Sequence, residues 1–115
     1  MTSSLPSQPS GVSILMPVLS NHKAKNITLL DVKHLTDITD WMIICTGGSN
    51  RHIKALTDYV TRTAKQNSID ILCIAGEEEA EWVLIDLVDT MIHIMLESTR
   101  SYYDLEKLWG GPASP

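Results

Sequence analysis

The run "WMIICTGG", residues 41–48, sets the tightest limit on what this chain can become. Uncharged, β-branched residues end at a glycine pair, and an amphipathic stretch follows. A continuous apolar run of this length, bounded by turn residues, reads as a strand buried on both faces. After it, "SNRHIKALTDYVTRTAKQN" repeats apolar residues three and four apart at Ile53, Leu56, Val60 and Ala64, while Arg51, Lys54, Asp58, Arg62 and Lys65 fall elsewhere. That spacing predicts a helix with one buried face. Ser49 or Asn50 suits its N-cap, and Asn67 suits a left-handed end. A strand sealed on both sides and a one-faced helix together require a sheet with helices packed on it.

Four further strands are expected. "NITLLDV" (26–32) alternates apolar and β-branched positions, and "IDILCIAG" (69–76) follows the helix. "WVLIDLV" (82–88) and "MIHIML" (91–96) meet at Asp89–Thr90 with the spacing of a tight hairpin. In "STRSYYDLEKLWGG" (98–111), Tyr102, Leu105, Leu108 and Trp109 recur at helical spacing, with Ser98 as a cap and Gly110 beyond the end. The order β-β-α-β-β-β-α gives an α/β chain of the α+β kind, a single mixed five-stranded sheet with flanking helices. The strands at 41–47 and 69–74 flank a helix, so they are expected to be parallel neighbours through a right-handed crossover.

One domain over residues 12–111 is expected, between a Ser/Pro-rich disordered tail at 1–11 and an unstructured end at 112–115. Pro17 suits the first position of a short helix ahead of the sheet. With 43% hydrophobic and 20% charged residues the chain is globular. A formal charge of −5 argues against sequence-independent nucleic-acid binding, whose phosphate contacts need clustered Lys and Arg, and leaves room for a partner with a basic surface; no sequence-specific nucleic-acid partner is expected either. "ILMPVL" is too short to span a bilayer and is broken by Pro17. Cys45 and Cys73 both lie in apolar runs and are expected as small buried hydrophobes rather than a disulfide.

Three places deserve a chemical reading. "TGGSNRH" (46–52) leads from a strand into a helix, a place where free N–H groups can hold a phosphate. It has neither P-loop nor dinucleotide spacing, and a tight turn that needs glycine for its dihedrals is the simpler account. A "GGS" turn also occurs in nucleotidyltransferases beside metal-binding carboxylates. Here the available pair is Asp86 and Asp89, which a regular strand puts on opposite faces. His22, His34, His52 and His93 show no metal-ligand spacing, so neither metal nor cofactor is expected.

The third place is "EEEAEW" (77–82), four carboxylates and then an indole at the start of a strand. Alternation puts Val83, Ile85, Leu87 and Asp89 on one side, toward the core. Trp82, Leu84, Asp86 and Val88 take the other, which His93, Met91 and Met95 of the next strand can share. His93 is expected partly exposed or hydrogen-bonded in the sheet. An aromatic anchor in an acidic rim is the pattern of a docking patch, with Glu77, Glu78, Glu79 and Glu81 as steering charges.

These blocks, "DVKHLTDITDWMIICTGGSNRHIKALTDYV", "GEEEAEWVLIDLVDTMIHIML" and "SYYDLEKLWG", closely resemble the ribosomal silencing factor family, also called Iojap-like. The resemblance implies a nucleotidyltransferase-like fold without the catalytic residues, and no enzymatic activity. It implies binding to the large ribosomal subunit through its protein number fourteen, which blocks joining of the small subunit and represses translation under nutrient limitation. It also implies a homodimer and, without an Arg-rich transit peptide, a bacterial cytoplasm. Carried onto this sequence, the docking surface would include Trp82, Asp86, Asp89, His93, Tyr103, Asp104, Leu108 and Trp109. The alternative is a nucleotide-using enzyme built on the TGGS turn with Asp86 as a metal ligand.

Overall fold

A computed structural model of the chain describes residues 10–37 and 39–103. The elements in order are α1 (Ser10–Asn21), β1 (Lys25–Asp31), β2 (Trp41–Gly47), α2 (Asn50–Gln66), β3 (Ile71–Ala75), β4 (Trp82–Leu87), β5 (Thr90–Leu96) and α3 (Glu97–Tyr103). The five strands form one sheet in the order β1-β2-β5-β4-β3. Only the central pair, β2 and β5, is parallel, and the other neighbours are antiparallel. The mixed five-stranded α+β architecture is the one the sequence implies.

The expected pairing of β2 with β3 does not occur. The crossover through α2 carries the chain past two positions to the far edge, and β3, β4 and β5 then fold back inward. Burial explains the choice. In β5, Ile92, His93, Ile94 and Met95 are all buried, which only a central strand permits. Strand β3 exposes Leu72 and Cys73 and suits an edge. Its register slips between Ile71 and Cys73, leaving Leu72 as the extra residue of a bulge. Cys73 is therefore exposed, contrary to the sequence reading. Cys45 is fully buried in β2, where burial pushes its thiol up to about 12, with Arg100 opposing.

Helices α1 and α2 cover one face of the sheet. Val12, Leu15 and Leu19 of α1 and Ile53, Leu56, Val60 and Ala64 of α2 pack with Ile43, Cys45, Val83, Ile85, Leu87, Ile92 and Ile94. Pro17 lies inside α1 rather than at its start, on the exposed side. A proline within a helix costs roughly 3 kcal/mol. Ending the helix there would instead strip Val12 and Leu15 from the core, at about 1.5–3 kcal/mol each, so burial wins. The helix begins at Ser10, inside the segment expected as a tail, whose first nine residues lie outside the described part.

Ser49 caps α2 by accepting from the His52 N–H at 3.0 Å. The left-handed residue at the other end is Ser68 (φ 59°), not Asn67 (φ −108°). Asn67 spends its side chain on the Thr63 carbonyl at 2.8 Å, and the Ile69 N–H closes the turn onto Ala64 at 2.8 Å. Ser98 is no cap either, because β5 runs straight into α3 at Glu97. The segment 104–115, which holds the rest of the expected last helix and the expected unstructured end, lies outside the described residues.

Candidate functional site

The second face of the sheet carries a smaller cluster of Leu30, Val32, Met42, Ile44 and Met95, with Trp82 packed against it. Register assembles this face. Trp82 lies opposite Met95, Leu84 opposite His93, and Asp86 opposite Met91. Val83, Ile85 and Leu87 are buried on the helix-covered side. The period-two reading of β4 and β5 thus places Trp82, Asp86, His93 and both methionines together.

Trp82 is half-buried, and its Nε1–H donates to Nδ1 of His93 at 2.9 Å. The rings are tilted by 47° with centroids 5.9 Å apart. His93 itself is only 8% exposed, buried between Ile44 and Leu84 on the neighbouring strands. Burial lowers its pKa to about 4, so the imidazole is neutral near pH 7. An indole N–H can only donate, so Nδ1 must be the acceptor and the ring proton sits on Nε2. That Nε2 is buried without a hydrogen-bond partner among the described residues.

The acidic loop runs directly into Trp82, and its backbone is fixed. Gly76 turns it with φ +87°, and an added Cβ there would drive into the Trp82 carbonyl. Ala80, at φ 53°, is buried in the main core and donates its N–H to the Gly76 carbonyl at 3.0 Å. The Asn50 side chain, at the start of α2, donates to the carbonyls of Glu79 (3.0 Å) and Ala80 (3.1 Å). The Glu81 carbonyl accepts from Leu96 N–H at 3.0 Å. With its backbone tied at both ends, the loop leaves Glu77, Glu78, Glu79 and Glu81 exposed.

Asp89 does not join this face. It lies in the β4–β5 hairpin, seven residues along the chain from Trp82 and on the order of 20 Å away along an extended strand. There its carbonyl accepts from Asp40 N–H and Trp41 N–H, both at 3.1 Å, and its carboxylate accepts from Thr90 Oγ1 at 3.2 Å. Tyr103 is the last residue of α3, and Asp104, Leu108 and Trp109 lie outside the described residues. Arg100, which sequence reasoning missed, docks α3 on the second face: its guanidinium donates to the Asn26 carbonyl (2.7 Å), Thr46 Oγ1 (3.0 Å) and Thr28 Oγ1 (3.0 Å). Asn50 was also missed except as a possible cap, because its partners lie 29 and 30 residues away.

The glycine turn is built for packing. A Cβ on Gly47 would lie 2.5 Å from Cγ1 of Ile53, so glycine serves close approach rather than unusual dihedrals. The Gly48 N–H is already used by His52 Nδ1 at 2.8 Å, and His52 Nε2 bonds the His22 carbonyl at 2.8 Å. Among the described residues no group of three His, Cys, Asp or Glu could hold a metal ion, and no helix is long and apolar enough to cross a membrane.

Comparison with known proteins matches this geometry to a family. The profile described as "Ribosomal silencing factor during starvation" matches residues 6–114. A relative from Chromobacterium violaceum, named "Ribosomal silencing factor RsfS", is 43% identical over 98 residues, covering 85% of this chain and 80% of its own. A mouse relative named "Mitochondrial assembly of ribosomal large subunit protein 1" is 32% identical, covering 85% of this chain and 44% of its own. A crystal structure from Chromobacterium violaceum superposes with a TM-score of 0.87 at 40% identity, covering 92% of this chain and 88% of that one. With nearly its whole length matched in sequence and in fold, this chain belongs to the ribosomal silencing factor family.

Proposed function

We propose that this protein binds the large ribosomal subunit on the face that meets the small subunit, blocks subunit joining and so represses translation when nutrients are short. The observation that carries the reading is the partly exposed Trp82 indole at the end of a fixed, exposed acidic loop, in a member of this family. A large aromatic beside a polar rim is the composition of an interface hot spot. The mouse relative's name supports the large subunit as partner. On that subunit the contact is with protein number fourteen, whose basic surface the four glutamates would steer toward.

Trp82 and Asp86 form the centre of the contact, and Tyr103, Asp104, Leu108 and Trp109 extend it. Blocking is stoichiometric, with no bond made or broken and no cofactor. Self-association into a homodimer and residence in the cytoplasm complete the reading.

Sucrose-gradient sedimentation with purified subunits tests it. The protein should travel with the large subunit and lower the yield of joined ribosomes. Trp82→Ala should weaken binding by roughly 2 kcal/mol or more, the size of a hot-spot loss, with an unchanged circular dichroism spectrum. Wild-type protein that stays at the top of the gradient would remove the proposal.

A further inference from the structure

We infer that His93 is a positioning residue for the Trp82 indole, holding it in the orientation in which it docks; the inference rests on the docking reading above. At 8% exposure His93 has almost no surface to offer a partner. Its slot in β5 is apolar, between Met91 and Met95 along that face of the strand and between Ile44 and Leu84 across it. An aliphatic side chain would fill that slot without burying a polar atom of its own. Histidine instead leaves Nε2–H buried and unpartnered, which costs stability. What it supplies in return is an acceptor, Nδ1, 2.9 Å from the indole N–H.

The direction of this bond matters for docking. Trp82 packs against the second-face cluster, opposite Met95, and keeps part of its surface open. A partly exposed side chain without a polar tether samples several rotamers, and choosing one on binding costs affinity. The His93 bond removes that choice in advance. It also accounts for a histidine in the middle of a central strand, where no partner can touch it.

Nuclear magnetic resonance of the whole chain separates this role from plain packing. The Trp82 indole N–H signal is assigned by its loss in Trp82→Phe. In His93→Leu that signal should shift and exchange with water faster, while the backbone spectrum away from residues 82 and 93 stays as in wild type. His93→Asn, which keeps an acceptor near the place of Nδ1, should retain the wild-type signal. Affinity for the large subunit should fall by about tenfold in His93→Leu, the scale of one hydrogen bond, and recover in His93→Asn. An indole signal unmoved in His93→Leu overturns the inference, as does full affinity with the indole released. Failure of the wild-type protein to bind the subunit would overturn the docking reading instead, with the indole signal still deciding what His93 holds.

Discussion

Asn50 holds the acidic loop from outside it: its side-chain amide donates to the Glu79 carbonyl at 3.0 Å across 29 residues of sequence. A second bond from the same amide reaches Ala80 at 3.1 Å. The residue that opens α2 therefore fixes the backbone from which four carboxylates project, and Trp82 begins two residues beyond Ala80. Loop and indole form one unit because α2 starts beside them.

Asn50→Ala should loosen that unit. Two neutral hydrogen bonds are lost at a partly exposed site, so global stability should drop by about 1 kcal/mol. The larger effect is local. Amide hydrogen exchange across residues 77–81 should accelerate by about tenfold, on the scale of that same free energy, while the core of β5 keeps its protection. Unchanged exchange in the loop would show that Gly76 and Ala80 hold it alone.

Neutralising Glu77, Glu78, Glu79 and Glu81 to glutamine tests their role without disturbing the fold. All four are exposed, and substitutions at such positions usually change stability by less than about 0.5 kcal/mol. Their field acts at a distance, so association with the large subunit should slow at low salt and lose its salt dependence. Dissociation should change little. Equal association rates for both proteins at low ionic strength would remove the steering role.

The two glycines of the turn separate packing from ligand binding. Gly47→Ala places a methyl 2.5 Å from Ile53 in the core, and overpacking of this kind costs about 1–3 kcal/mol. A Cβ on Gly48 meets only His52 Nδ1, at an ordinary 3.7 Å, so Gly48→Ala should melt close to wild type. A phosphate-binding turn predicts instead that millimolar nucleotide with Mg²⁺ raises the wild-type melting temperature and that Gly48→Ala abolishes the rise. No rise is expected, and thermal melts with and without nucleotide read it directly.

The sequence showed its local physics and hid its long-range choices. Ser49 as a cap, the one-faced helix 50–66 and the alternation of β4 and β5 are set within a few residues, and each lies where the pattern put it. Strand order is set by which strand can be buried on both faces, and "ILCIA" looks as apolar as a central strand until the bulge at Leu72 turns it into an edge. Pro17 misled because burial of Val12 and Leu15 outweighed its local cost. Trp82 and His93 could be placed on one face by period alone. Their hydrogen bond, like those of Asn50 and Arg100, depends on geometry that only the assembled sheet supplies.

The cysteines give a chemical readout of that edge assignment. Cys73 is exposed on β3, while Cys45 is buried and its thiol is pushed up to about 12. Thiolate is the reactive form, so an aromatic disulfide reagent at pH 8 should titrate one thiol rapidly in the folded protein and two in denaturant. Cys73→Ser should leave no fast-reacting thiol. Two fast thiols in the native state would place β2 at the surface and contradict the central position of that strand.

Acid sensitivity should follow from His93. Its folded pKa is about 4 because burial disfavours the charged ring, whereas a histidine in the unfolded chain titrates near 6.5. Between those values the unfolded state binds more protons, so stability falls as pH drops through this window. Above about pH 6.5 both states are neutral at this site and the contribution is level. The full descent to pH 4 amounts to about 3 kcal/mol, at 1.36 kcal/mol per unit. Urea unfolding at pH 7.5 and 4.5 should show most of that loss in wild type. In His93→Leu the loss should be smaller by about 2–3 kcal/mol, because carboxylate contributions are common to both proteins and cancel in the difference. Equal losses in the two proteins would mean that His93 is solvated and free to charge in the folded state. The Trp82 indole would then lose Nδ1 of His93 as its acceptor.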